Sequence, residues 1–115
     1  MGKNEKRENI GNYLDVSNSR FSADEYDTLN DYVSDDSMTG KTYTENNTFT
    51  GWSSDGKYTR WEETTYTIND DRSITELYNY RDDDGQEGQR EYSYSNAREV
   101  LSILKKFKWF KCLYY

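Results

Sequence analysis

The 115-residue chain contains no histidine, no proline and a single cysteine, Cys112. Without histidine, neither a Ser-His-Asp nor a Cys-His arrangement can carry a proton during catalysis. A lone thiol builds no disulfide framework, and a structural zinc site needs four nitrogen or sulfur ligands. We therefore expect no catalytic residues, no metal site and no cofactor.

Long apolar runs are also missing. Residues 3–7 are polar and no apolar stretch follows them, so we expect no secretory signal. No run of about 20 apolar residues could span a bilayer. The sequence predicts a soluble, cytoplasmic protein without membrane contact.

Leu, Ile, Val and Phe make up only 17 residues, a fraction low enough to raise the question of disorder. Twelve Tyr and three Trp argue for a folded chain, since disordered chains are poor in aromatic residues. The length supports one domain. We expect a loosely ordered segment over residues 1–20, which are polar and weakly patterned, and a single domain over residues 21–115.

Several signals predict a short helix over residues 23–34. Ser22 and Glu25 have the spacing of a capping box, and Phe21 and Tyr26 have that of a hydrophobic staple. Tyr26, Leu29 and Val33 then follow at helical spacing.

From residue 42 the pattern changes to that of β-strands rich in Thr and Tyr. Short connectors containing Asp, Asn or Gly separate four segments and favour antiparallel neighbours. The predicted strands are Thr42–Trp52, Lys57–Ile68, Ser73–Arg81 and Gln89–Tyr94. Ile74, Tyr78 and Tyr80 share one parity, as do Tyr92 and Tyr94, so these side chains should point to one face.

The last segment predicts a helix that begins after Asn96. Its apolar stripe is the only densely aliphatic stretch of the chain and should cover the aromatic face of the sheet: Ala97, Val100, Leu101, Leu104 and Phe107. Trp109, Phe110, Leu113, Tyr114 and Tyr115 should extend that apolar surface. The predicted fold class is α+β: a four-stranded antiparallel β-meander with a C-terminal helix packed on one face and a short acidic N-terminal helix.

Charge is distributed unevenly. Residues 1–41 hold nine acids and five bases, residues 42–94 twelve acids and five bases, and residues 95–115 one acid and five bases. Residues 22–36, which include the predicted helix, carry six carboxylates and no basic residue: Asp24, Glu25, Asp27, Asp31, Asp35 and Asp36. Such a surface can imitate the phosphates of a nucleic acid and bind a basic groove, or it can be a solvated helix face that maintains solubility. Together with the turn residues Asp82, Asp83, Asp84 and Glu87, these are the predicted partner-binding residues.

Other candidate sites are weaker. The turn at residues 82–87 lacks EF-hand spacing, so a role in backbone geometry is preferred to calcium binding. Glu62 and Glu63 are adjacent on a strand and point to opposite faces, which excludes them as a glycosidase pair. Among the aromatic residues we expect Trp52, Trp61 and Tyr43 to be exposed. The acidic sheet should repel nucleic acid. For the basic tail over residues 105–115, helix-dipole complementation, pairing with the acidic body or self-association is preferred to contact with a membrane or an acidic partner.

The combination of a short, acidic, Pro-free chain rich in Asn, Asp and Tyr, with no catalytic signature, resembles proteins of phages and mobile elements. Within that group it is similar to anti-CRISPR proteins directed at type II-A systems, in size, composition and layout across the whole chain. The resemblance implies a non-enzymatic inhibitor, acting in a bacterial host cell, that binds the basic nucleic-acid-binding surface of an effector nuclease. Two alternatives stay open: an immunity protein or antitoxin against a basic nuclease toxin, and a phage structural or assembly component.

Overall fold

The structure, a computed structural model, describes residues 2–107. Its elements follow in the order α1 (Lys3–Gly11), α2 (Ala23–Ser34), a 3₁₀ turn (Asp36–Met38), β1 (Thr42–Ser53), β2 (Gly56–Ile68), β3 (Ile74–Asp82), β4 (Glu87–Tyr94) and α3 (Ala97–Leu104). The four strands form one antiparallel sheet in the order β1-β2-β3-β4. The α+β class and the β-meander predicted from the sequence are confirmed, and each strand boundary lies within two residues of its prediction.

The N-terminal segment differs from the expected loose order. Ile10 of α1 is fully buried and Leu14 is 3% exposed, so this segment contributes to the core. The Arg7 guanidinium donates hydrogen bonds to the carbonyl oxygens of Val16 (2.7 Å) and Ser19 (2.8 Å), which fixes the chain between α1 and α2. Helix α1 has only one buried residue, and its sequence therefore shows almost no amphipathic pattern.

Helix α2 begins as predicted. The Glu25 backbone N–H donates to the Ser22 hydroxyl (3.2 Å) and the Ser22 backbone N–H donates to the Glu25 carboxylate (2.9 Å), which completes the capping box. The rings of Phe21 and Tyr26 meet edge to face with centroids 5.4 Å apart. Four residues of α2 face the core, among them Leu29 and Val33, which are fully buried.

Arg72, in the turn between β2 and β3, joins this turn to α2. Its backbone is left-handed (φ 71°), and its side chain is buried although it is charged. The guanidinium donates to the Thr39 hydroxyl at 2.6 Å and to the Asp36 carboxylate at 3.1 Å. In return, the buried Tyr32 hydroxyl donates to the Arg72 carbonyl oxygen at 2.6 Å.

Helix α3 begins at the predicted cap, where the Asn96 side chain accepts from the backbone N–H groups of Arg98 and Glu99. Its predicted apolar stripe is buried, together with Ile103. Phe107 packs against Tyr43 and Tyr66, with ring centroids 5.2 Å and 5.9 Å away. The predicted apolar extension at residues 109–115 lies outside the described residues.

The helices cover only one end of the sheet. We call the face they cover the front face; its core residues are Tyr66, Ile68 and Ile74, with Tyr43 and Tyr94 packed beside them. Tyr78 and Tyr80 share this face but lie beyond the helices, and Tyr92 is 45% exposed. The prediction that α3 covers the aromatic face is therefore wrong for Tyr78 and Tyr80, because the strands are longer than the helices that pack on them. It is also wrong for Tyr92, which lies in the same row as Tyr66 but on the edge strand β4.

The molecule is elongated as a result, with extents of 59 × 28 × 23 Å and a radius of gyration of 17.5 Å, against about 13 Å for a compact domain of this length. We call the uncovered part of the sheet the blade, residues 44–65 and 77–91. Asp82 is the only residue of the blade that is buried. The β1–β2 hairpin projects furthest, since the pairing of β2 with β3 ends at Arg60.

Candidate protein-binding surfaces

The predicted partner-binding residues of α2 are not free of basic partners. Glu25 lies 2.8 Å from the Arg98 guanidinium of α3, and Asp27 pairs with Lys6 of α1. Asp36, just after α2, pairs with Arg72 at 3.1 Å. The expectation of an uncompensated acidic helix is therefore wrong for these three residues, because their basic partners come from distant parts of the sequence.

Two of the predicted partner-binding carboxylates, those of Glu25 and Asp35, accept local hydrogen bonds. The backbone N–H of Ser22, with help from Arg98, holds the pKa of Glu25 below its usual value. The Asp35 carboxylate accepts from the Ser37 hydroxyl (2.6 Å) and backbone N–H (3.0 Å), which lowers the pKa of Asp35 as well. These two residues shape the ends of helical segments and have structural roles.

Two carboxylates of α2 remain without a recorded partner among the described residues. Asp24 and Asp31 are both exposed and, with Asp27, have the i, i+3, i+7 spacing of one helix stripe. This stripe lies opposite the buried side of the helix formed by Tyr26, Leu29 and Val33. It is the part of the predicted acidic helix that a basic partner could contact.

The turn at residues 82–87 separates into a buried and an exposed part. Asp82 is 4% exposed and accepts two hydrogen bonds from the Arg60 guanidinium, at 2.5 Å and 2.9 Å, which lowers the pKa of its carboxyl. Asp83, Asp84 and Glu87 are exposed and have no ion pair within residues 2–107. Asp82 therefore stabilises the blade, whereas its three acidic neighbours are available to a partner.

The two acidic clusters do not form one surface. Strand β3 joins the core end at Ile74 to the turn that follows Asp82, and eight residue steps of an antiparallel strand span about 27 Å. The stripe on α2 belongs to the core end, whereas Asp83, Asp84 and Glu87 lie at the far end of the blade. A single partner would have to be larger than this separation to contact both.

The front face of the blade carries an arginine-aromatic cluster that the sequence did not reveal. The Arg60 guanidinium lies 4.4 Å from the ring centroid of Tyr80 and 5.7 Å from those of Phe49 and Tyr58. At Gly88, directly across from Tyr80, a Cβ atom would collide with the tyrosine ring. On this part of the front face, which no helix covers, the side chains are held together by the cation–π contacts of Arg60 and by its ion pair with Asp82.

The back face of the blade is polar, and no core residue comes from it. Trp61 and Trp52 are 41% and 77% exposed, as predicted, whereas Tyr43 is half-buried against Phe107, contrary to prediction. Trp61 lines a shallow groove with Arg81 and several Asn, Gln and Glu side chains. Side chains alternate between the two faces along β1 and β2, and the two-residue turn between these strands fixes their register. These two sequence signals could have located the half of the groove that β1 and β2 form.

Residues 2–107 contain no group of three or more His, Cys, Asp or Glu side chains arranged to hold a metal ion. Within the same part of the chain, no helix is long and apolar enough to cross a membrane.

No protein-family model, curated protein sequence or solved structure matches this chain.

Proposed function

We propose that the protein is a non-enzymatic inhibitor that binds the basic nucleic-acid-binding surface of a bacterial nuclease, with a type II-A CRISPR effector as the first target to test. The observation that carries the proposal is a set of exposed carboxylates that form no ion pair within residues 2–107 and lie at both ends of an elongated molecule: Asp24, Asp31, Asp83, Asp84 and Glu87. The charge of the whole chain, −7, points the same way. A basic groove gains affinity by neutralising its charge, so a protein with free carboxylates can compete with DNA for it.

The geometry favours contact by a long surface. A molecule 59 Å in length can lie along a groove that normally holds duplex DNA. The acidic stripe of α2 and the acidic tip of the blade would then neutralise separate basic patches. Asp82, Glu25 and Asp36 are excluded from the contact set because their carboxylates already pair with arginine.

The proposal is tested by adding the purified chain to a guide-loaded type II-A effector and measuring DNA binding by gel shift. We expect inhibition that weakens as the salt concentration rises from about 50 to 200 mM, because exposed charges are screened. An effector that binds DNA equally well with and without the chain would contradict the CRISPR target.

Charge-neutral variants locate the contact. The helix variant carries Asp24→Asn and Asp31→Asn, and the tip variant carries D83N, D84N and E87Q. We expect each to raise the inhibitory concentration at least about tenfold.

A matched control carries the same charge change as the helix variant at exposed carboxylates outside both clusters, Asp70→Asn and Glu99→Gln. We expect the control to inhibit within about twofold of the natural chain. If the helix and tip variants inhibit as well as the control, the carboxylates have no role in binding and the mechanism is wrong.

A further inference from the structure

The groove on the back face of the blade is formed by two rows of side chains that cross all four strands. One row consists of Asn46, Glu63, Asn79 and Gln89, which pair directly in the strand registers. The next row contains Trp61, Arg81 and Glu87. Side chains alternate between faces, so the intervening row contributes backbone to the floor of the groove. The rows lie about 7 Å apart and run for about 14 Å.

The polar groups of this groove are unused within residues 2–107. The side chains of Asn46, Glu63, Asn79 and Gln89 form no hydrogen bond or ion pair in this part of the chain, and that of Glu87 forms no ion pair. The Trp61 ring is 41% exposed, and the Arg81 guanidinium lies over it at 5.3 Å from the centroid. The groove therefore combines an aromatic ring that already holds a guanidinium with two free carboxylates and three free amides.

We infer that this groove binds an arginine-rich segment of the partner protein; the inference rests on the proposed function and names the contact within it. A guanidinium stacks on an aromatic ring and binds a carboxylate through two parallel hydrogen bonds, which a lysine ammonium cannot do. The complementary charge comes from Glu63, two residues from Trp61 on β2, and from Glu87 on β4, which pairs with Arg81 in the same row as Trp61. A groove of about 14 Å accommodates about four residues of extended chain, whose backbone the free amides can bond.

Arg81 has a particular place in this arrangement. In the free chain its guanidinium occupies the Trp61 ring and places a positive charge between the two carboxylates. An arginine of the partner must displace it. Removal of this charge by Arg81→Gln should therefore strengthen binding, whereas removal of a basic residue outside the groove should have little effect.

The test measures binding of a fluorescein-labelled hexa-arginine peptide and of the matching hexalysine peptide to the full chain by fluorescence anisotropy in about 150 mM NaCl, where exposed charges are largely screened. We expect the arginine peptide to bind at least about fivefold more tightly than the lysine peptide. Trp61→Ala should abolish this preference, and Arg81→Gln should increase the affinity for hexa-arginine about threefold. Trp52→Ala is the control, since Trp52 is exposed on the same face but lies outside the groove.

Equal affinity for the two peptides, or a preference that survives Trp61→Ala, would overturn the inference. The same variants in the nuclease assay separate it from the proposed function. If Trp61→Ala inhibits the effector like the natural chain while the helix variant, which changes no groove residue, does not, the groove is not the contact and the inhibitor proposal stands. If the peptide preference depends on Trp61 but neither the natural chain nor any variant inhibits DNA binding by the effector, the groove binds arginine and the nuclease proposal fails.

Discussion

The Tyr32→Phe substitution tests how α2 is held on the sheet. The Tyr32 side chain is fully buried, and its hydroxyl donates to the Arg72 carbonyl oxygen at 2.6 Å. The substitution removes one hydroxyl and leaves the ring in place. The buried carbonyl then loses a donor, so the cost includes the desolvation of that oxygen in addition to the net value of one hydrogen bond.

We expect Tyr32→Phe to lower the free energy of unfolding by about 1–3 kcal/mol. For a domain of this size such a loss lowers the midpoint of thermal unfolding by about 4–12 °C. Urea denaturation followed by circular dichroism measures the change directly. The m-value should not change, because the surface exposed on unfolding is the same.

Tyr92→Phe is the matched control. Tyr92 is 45% exposed, and its hydroxyl makes no recorded hydrogen bond within the described chain. We expect this variant to lie within about 0.5 kcal/mol of the natural protein. If Tyr32→Phe is as stable as Tyr92→Phe, the bond to Arg72 does not contribute to holding α2 on the sheet and the reasoning is refuted.

Three further predictions concern stability. Ile10→Ala should lower the free energy of unfolding by about 2–5 kcal/mol because it leaves a cavity under α1. The control Glu8→Ala, at an exposed position, should change it by less than about 0.5 kcal/mol. Equal urea midpoints for the two variants would contradict the packing of α1. Burial raises the pKa of Tyr32 and Tyr66 above the ordinary value of 10.0. As the pH rises, the unfolded chain therefore releases these protons before the folded chain does. The contribution of the two tyrosines to stability is complete below pH 10 and is lost as the pH rises above it. Thermal melts at increasing alkaline pH should show this loss, and Tyr32→Phe should reduce it. Conversely, the lowered pKa of Glu25 stabilises the folded state at pH values above 4.5, the ordinary pKa of the group, and this contribution disappears as the pH falls below that value. Glu25→Gln should therefore lose less stability than the natural chain when the pH is lowered. An equal loss in both proteins would count against the capping box and the pair of Glu25 with Arg98.

Local signals in the sequence were sufficient for α2 and for the strands. Ser22 and Glu25 define the start of α2 because both groups of a capping box lie within one turn of helix. The hairpins followed from alternation and from Asp, Asn and Gly at the turns, which are also local features. Gly56 and Gly85 both have positive φ, as those turns require.

The exposure and pairing of the acidic residues were predicted only in part. Asp24, Asp31 and the exposed residues of the 82–87 turn are available, as expected from their charge. The pairing of Glu25 with Arg98 and of Asp36 with Arg72 joins residues 73 and 36 positions apart. Spacing along a helix cannot reveal such partners, so the count of free carboxylates was too high.

By itself the sequence determined the class of fold, the approximate bounds of its strands and the excess of negative charge, because composition, periodicity and capping act within a few residues. Only the tertiary structure decided that α1 joins the core and that the helices cover one end of the sheet. It also decided which carboxylates form no ion pair and that Trp61, Glu63 and Glu87 line one groove. These features depend on strand register and on packing between distant segments, where the free energy comes from contacts that no local pattern records.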